Sequence, residues 1–513
     1  MQKSLSFCHN IIFIFLRRCY YILLFSLFFL QLASSFGGRS LMLSIQRFFL
    51  SKTTLRSMSI LEQVSQRLVH NMTTNPSAPT YLCMAIAGGG GHAISALAST
   101  PGASDLLLEG TVAYDRRSLQ TYVDRKELMN YKFVSKDTAI LMSRAAVRRA
   151  MQFRSNLKDY PHCVGLGVTS ALVTTRERPG RSSFGYLCAT SADGSEWSCR
   201  IKFASQLRTR TEEDRFMGQL ALEAIEKLKS KGTTKLTINE EHDIVEEESF
   251  IDSTLSHEDQ VVAAAQNILD GTVDAVLLLP SKDKLHFMIM TDPVLPCSSL
   301  IFPGSFNPPH AGHVALARIS AASFSEQSTP VFMELSLTNP DKPNIDPKSV
   351  SKRAHKFLEL ENLPSDWAIL LTSAPLFSRK VQILKPFMAP AIAEVGQRVG
   401  FVIGTDTMVR ILDPKYYNND KETMLEALRE MGRSGVQFVV GGRLEQGKSF
   451  FSNEEKPEFV SGHQELELLP IDVQNMFSLV SEESFRMDIS SSEIRRAAAT
   501  TMSQSQHEDR SNL

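Results

Sequence analysis

The stretch LIFPGSFNPPHAGH, residues 300–313, decides the fold of the second half of this chain. Leu300, Ile301 and Phe302 form a short apolar run that reads as a buried strand. Pro303, Gly304, Pro308 and Pro309 break it, and an apolar, Ala-rich run over 314–322 follows with helical character. A strand that passes through a glycine turn into a helix is a phosphate site in outline. The helix N-terminus offers free N–H groups and a positive dipole end, and glycine lets backbone and phosphate approach closely. His310 and His313, at i and i+3, add donors aimed at a transferring phosphorus.

Three further pieces lie downstream. Residues 331–337 read as a strand leading into NPDKP at 339–343, where Lys342 can reach a phosphate, with Arg353 farther along. FVIGTD at 401–406 is an apolar strand ending in Gly404 and Asp406. A carboxylate there accepts from ribose hydroxyls or base amino groups, or caps the next helix. DISSSEIR at 488–495 sets Ser490, Ser491 and Ser492 at a helix start, with Arg495 on that helix.

In this order the pieces resemble the nucleotidylyltransferase superfamily: HxGH at 310–313, GxD at 404–406, and the ISSTxxR signature with Ser492 in place of Thr. GSFNPP at 304–309 is most similar to the nicotinamide/nicotinate mononucleotide adenylyltransferase branch. The resemblance implies an α/β fold over 299–500, a Rossmann-like doubly wound parallel sheet with its site at the carboxyl ends of the strands. It implies that His310, His313 and Arg495 are catalytic. Gly304, Ser305, Phe306, Lys342, Gly404, Asp406, Ser490, Ser491 and Ser492 would bind the nucleotide. The implied reaction moves a nucleotidyl group from a nucleoside triphosphate, ATP on this resemblance, to a small phosphomonoester and releases pyrophosphate. Mg²⁺ would arrive with the triphosphate, and no dedicated metal site is expected. Where that branch often carries a Trp against the pyridine ring, this chain has Asp413 and Pro414, with Tyr416 and Tyr417 close by. Two other readings stay open: a cytidylyltransferase-like enzyme with another acceptor, and a non-catalytic nucleotide-binding regulatory protein.

Upstream, the pattern predicts a layered α/β domain over 61–235. Helices are expected over 61–71, 92–98, 136–151 and 212–228, the last capped by Thr211, and strands over 81–87, 110–114, 164–170 and 184–189. The pieces GG at 90–91, PGAS at 101–104, GTVAY at 110–114 and GLGVT at 165–169 resemble the CinA C-terminal domain, whose active members deamidate nicotinamide mononucleotide. Aligned through Gly90 and Gly91, the family's nucleophilic hydroxyl falls on Ala87 and its lysine on Leu119. Amide hydrolysis needs an activated nucleophile and a partner for its proton, so this domain reads as non-catalytic. The run Gly88–Gly91 either cradles a phosphate or makes a tight turn. Residues 236–298 read as a bridging segment without visible chemistry, with a helix over 257–269 and a strand pair over 273–290.

The first acidic residue is Glu62. Arg17 and Arg18 precede an apolar run to Ala33, and Ser34 and Ser35 follow before Phe36, which is the layout of a secretory signal. Residues 37–59 are basic, Ser-rich and acid-free, like a transit peptide. Together they resemble the bipartite leader of complex plastids, so residues 1–60 read as a targeting leader. A mitochondrial presequence or an uncleaved anchor competes, and membrane contact is expected only through the leader. Residues 501–513 read as a disordered tail.

With 513 residues the chain is too long for one core. The net charge of −1 excludes a general electrostatic grip on nucleic acid. The seven cysteines are scattered without a CxxC pair, which excludes a zinc knuckle or a disulfide framework. The composition leaves a homo-oligomer open.

Overall fold

The computed structural model describes residues 58–485 apart from 75–77, 124–131, 175–181, 205–207, 239–240, 242, 253–256, 282, 284, 325–328, 339–342, 375, 391–397 and 448–455, together with Arg496. The chain divides between Gln63 and Val64. On the leader side only the start of helix α1 (Ile60–Thr73) is described, and both sheets belong to the unit from Val64 onward.

Alternating strands and helices build a first sheet. Its elements are β1 (Tyr81–Ala87), α2 (His92–Ala98), β2 (Leu107–Val112), α3 (Arg116–Val123), α4 (Lys136–Gln152), β3 (Cys163–Ala171), β4 (Phe184–Ser191), β5 (Glu196–Lys202), α5 (Arg210–Lys229) and β6 (Ile244–Ile251). The strand order is β2-β1-β3-β4-β5-β6. β1 pairs in parallel with β2 and β3, and the strands from β3 to β6 are antiparallel. Helix α4 lies directly on β3. A Cβ at Gly165 would meet the Ser143 carbonyl oxygen at 2.0 Å, and one at Gly167 that of Ala139 at 2.1 Å. The GLGVT motif is therefore the track on which this helix rests. Helix α5 is capped by Thr209, not by the expected Thr211, because Thr209 and Glu212 close a reciprocal capping box.

A second sheet follows from α6 (His257–Leu269), β7 (Ala275–Pro280), β8 (Phe287–Met290), β9 (Ser298–Pro303), α7 (Ala311–Phe324), β10 (Val331–Ser336), α8 (Pro347–Leu358), β11 (Trp367–Thr372), α9 (Phe377–Leu384), β12 (Arg398–Gly404), α10 (Thr405–Ile411), α11 (Lys421–Arg433), β13 (Val436–Gly441) and, after a small hairpin β14 (Arg443–Gly447) and β15 (Lys456–Val460), α12 (His463–Glu467), α13 (Ile471–Gln474) and β16 (Phe477–Val480). The order is β16-β13-β12-β9-β10-β11-β7-β8. From β16 to β11 every pair is parallel, while β7 and β8 join antiparallel at the edge. The chain winds outward from β9 through β10 and β11, then returns to its other side for β12 and β13. That reversal is the doubly wound pattern, and it leaves a crevice at the carboxyl ends of β9 and β12.

The expected bridge over 236–298 is not a separate piece. β6 completes the first sheet, and β7 and β8 complete the second. The two sheets also share a core: Cys83, Ala146, Tyr160 and Cys163 cluster with Leu277, Ile301, Phe332, Leu370, Phe401 and Phe438. At this junction the Leu157 N–H donates to the buried Asp366 carboxylate at 3.0 Å.

Candidate functional site

β9 delivers the loop 304–310 to the crevice, and α7 carries the chain away. Gly304 is required by packing: a Cβ there would stand 2.6 Å from the Phe306 ring. Phe306 takes a left-handed backbone, φ 40°, which costs a non-glycine residue about 1–2 kcal/mol. Burial offsets it, since Phe306 is 1% exposed and packs edge-on to Phe302, Phe357 and His313 at 5.6, 5.0 and 4.9 Å between ring centres. The sequence reading places Phe306 against the nucleotide. In the structure its ring is buried and supports His313.

The two histidines are wired to each other. The His310 N–H donates to His313 Nδ1 at 3.2 Å, and the His313 N–H donates to the His310 carbonyl at 3.0 Å. The first bond is one half of a capping box, with histidine in the place of Glu, and it explains the i, i+3 spacing; the second is a backbone turn bond. The rings lie 3.7 Å apart. Because His313 Nδ1 accepts, its ring hydrogen sits on Nε2. Burial, and then the neighbouring His310, push the His313 pKa down to about 3, and burial lowers that of His310. Both are therefore neutral rings at ordinary pH, and His313 is a neutral N–H donor. His310 Nδ1 is buried without a hydrogen-bond partner among the described residues.

Beside the loop that leads to the pair lies a cleft of about 810 Å³, lined by neither histidine. Gly304, Ser305 and Asn307 line one part of it, Asp346 with Ser349 and Arg353 of α8 another, and Arg410, Tyr416 and Tyr417 a third. Arg353 donates to the Ser305 carbonyl at 2.9 Å and so fixes the loop. The two tyrosines therefore do stand in the cleft. Gly404 caps α10, and Asp406 lies in the first turn of that helix with an exposed side chain; Thr407 and Arg410 line the cleft. Lys342, Ser490, Ser491, Ser492 and Arg495 lie outside the described residues.

Sequence reasoning missed the cleft's floor. Glu334 of β10 is wholly buried and paired to Lys380 of α9 at 2.7 Å. A lone Glu in an apolar strand and a Lys in an amphipathic helix carry no joint signal until the fold brings them together.

In the first sheet, Ala87 and Leu119 are both fully buried and share one apolar cluster with Ala85, Ala113, Val123 and Met142. The Gly88–Gly91 turn spends its donors internally. Gly90 N–H and His92 N–H donate to the Asp214 carboxylate of α5 at 2.7 and 3.2 Å, and Gly89 N–H to Ser170 at 2.6 Å. His92 Nδ1 closes on the same carboxylate.

Two families match parts of the chain: cytidylyltransferase-like over residues 301–497, and CinA C-terminal domain over residues 62–154. Both domains are present. A Schizosaccharomyces pombe protein named as a candidate nicotinamide mononucleotide adenylyltransferase is 29% identical over 119 residues. That match covers 23% of this chain and 43% of the relative, so the chain spans less than half of the curated protein it resembles. Among solved structures, a competence/damage-inducible protein of Agrobacterium tumefaciens is 21% identical, covering 34% of this chain and 97% of its own with a TM-score of 0.27. A CinA superfamily protein of Escherichia coli is 18% identical, covering 33% and 88% with a TM-score of 0.26.

Proposed function

We propose that the second sheet catalyses transfer of an adenylyl group from ATP to a nicotinamide- or nicotinate-mononucleotide-like phosphomonoester. Nucleotidyl transfer in general follows from the cytidylyltransferase-like domain over 301–497. The observation that carries the finer reading is the neutral His310–His313 pair at the start of α7, with His313 held in one tautomer, at the end of a loop that lines a cleft holding two tyrosines. The partial likeness to the Schizosaccharomyces pombe protein supports the acceptor.

In this reaction an oxygen of the acceptor phosphate bonds to the α-phosphorus while the bond from that phosphorus to the bridging oxygen breaks, and pyrophosphate leaves. No protein nucleophile is needed, so the protein contributes positioning and charge stabilisation. His313 Nε2–H and His310 would hold the developing charge, while Lys342 and Arg495 would hold the leaving pyrophosphate. Ser490, Ser491 and Ser492 would place Arg495 at a helix start. Among the described residues no group of three carboxylates, histidines or cysteines stands together as a metal cage. Mg²⁺ would come with the triphosphate and supply charge neutralisation on its phosphates.

The first sheet serves as a scaffold on this reading, because its would-be nucleophile and lysine positions are an apolar cluster. The test is pyrophosphate release by the full chain with each nucleoside triphosphate and a panel of phosphomonoesters. ATP with a pyridine mononucleotide should be the fastest pair. CTP with another acceptor would establish the cytidylyltransferase reading, and no release with any pair would overturn both. For the leader, we propose organellar import, to plastids on the bipartite layout. Residues 1–60 fused to a fluorescent protein should enter an organelle, and cytosolic fluorescence would sink the idea.

A further inference from the structure

The floor of the cleft is built unlike its walls. Along β10, Val331, Met333 and Leu335 face the α7 and α8 side, in one cluster with Leu316 and Phe357. Phe332 faces the opposite side, with Ile383 and Leu384 of α9 and Leu425 and Leu428 of α11. Glu334, two residues beyond Phe332, therefore enters the cleft from the α9 and α11 side, across the sheet edge from the histidine pair.

There its two oxygens differ. Oε1 accepts from Lys380 Nζ at 2.7 Å and from Thr372 Oγ1 at 2.5 Å. Oε2 is buried with no hydrogen-bond partner among the described residues. Lys380 spends a second hydrogen on the Ala374 carbonyl at 2.6 Å. An ammonium has three donors, so one remains without a partner among the described residues. A bare acceptor and a spare donor thus stand side by side on the cleft floor, held by a pair that is 4% and 0% exposed. A buried polar atom without a partner is costly, and a ligand group that pairs with it recovers that cost.

We propose that Glu334 and Lys380 select the acceptor: its far end carries an uncharged group that both donates and accepts hydrogen bonds, a carboxamide or a vicinal diol, and the corresponding carboxylate is rejected. This rests on the reading of the cleft as a nucleotidyl-transfer site. A carboxamide N–H or a hydroxyl donates to Oε2 while its oxygen accepts from Lys380. A carboxylate has no donor for Oε2 and sets like charge against it. Sites that hydrogen-bond a polar group discriminate strongly against analogues that leave the protein's own buried groups unpaired.

The experiment measures binding to the full chain by calorimetry, in two pairs: nicotinamide mononucleotide against nicotinic acid mononucleotide, and glycerol 3-phosphate against 3-phosphoglycerate. One uncharged member should bind at least ~10-fold tighter than its acid, and which pair shows the ratio identifies carboxamide or diol. Glu334→Gln presents a donor where Oε2 stood and should reduce the ratio to about one or invert it. Glu334→Asp, which withdraws the carboxylate by one methylene, should lower the ratio, and it serves if Glu334→Gln does not fold. Equal or tighter binding of the acids, no binding of either pair, or a ratio unmoved in the folded variant would overturn the proposal. Pyrophosphate release is read separately. Discrimination in binding without release sinks the reaction, not the selection.

Discussion

His313 does two jobs with one ring. Its Nδ1 closes the start of α7 by accepting the His310 N–H, and its other nitrogen is thereby left as a donor. Its ring also packs against Phe302 and Phe306. His310→Ala should therefore lower kcat by ~10²–10³-fold with little change in Tm, because it removes a group acting on charge that develops in the transition state. His313→Ala should lose rate and also ~1–3 kcal/mol of stability, as losing a half-buried ring and a cap does. Steady-state kinetics beside a thermal melt separate the two, and a His310→Ala variant that keeps its rate would remove it from the chemistry. The pH sign follows from the depressed pKa of about 3. The folded state favours the neutral ring, so this stabilisation is present above the ordinary pKa of ~6.5 and is lost as pH falls toward 3, at up to ~1.4 kcal/mol per pH unit. His313→Asn should flatten that limb in melts taken across the range. The HxGH histidines were legible because their chemistry and spacing are local. Glu334 and Lys380 were not, because only the parallel register of β10 with β11 and the turn into α9 bring them together.

At the level of elements, most helices and strands were legible from their periodicity, and α6 spans the expected 257–269. The exceptions share a cause. β5 and β6 carry mixed polar residues, and their pairing depends on neighbours distant in sequence. The fate of the Gly88–Gly91 turn was equally hidden, since its occupant, Asp214, comes from α5. That turn offers backbone donors, and the chain supplies its own carboxylate to them. Asp214→Ala should strand these N–H groups and cost about 1–3 kcal/mol, read as a lower Tm; an unchanged melt would mean that solvent satisfies the turn. Although burial opposes it, the hydrogen bonds from His92 and Gly90 leave the Asp214 pKa below its ordinary value. The contribution is then present above ~4, the unfolded value, and is lost as pH falls through the depressed one, so the wild-type advantage over Asp214→Ala should shrink in acid.

Across the whole molecule the sequence reading sees two domains and a bridge, where the structure has two sheets sharing one core. Composition carries no mark of that junction, because both sides are ordinary apolar surface until they meet. Asp366 sits on it, and burial raises its pKa to about 6 against the hydrogen bond from Leu157 N–H. Here the sign is opposite to that of His313. The carboxyl is favoured when protonated, so its contribution is full below ~4 and is lost as pH rises through 6. Asp366→Asn keeps an acceptor for Leu157 and removes the charge. It should raise stability at neutral pH by about 1–3 kcal/mol and leave acid stability alone. A fall in Tm at pH 7 would show that the ionised carboxylate holds the junction.

The shared core has a bearing on ancestry. A lobe in which the positions read as nucleophile and lysine are the buried Ala87 and Leu119 would ordinarily be free to disappear by deletion. Here its removal would open the apolar cluster that Ala146, Tyr160 and Cys163 share with residues of the second sheet. Selection for the second lobe's solubility is then enough to preserve the first, and its persistence through descent calls for no activity of its own.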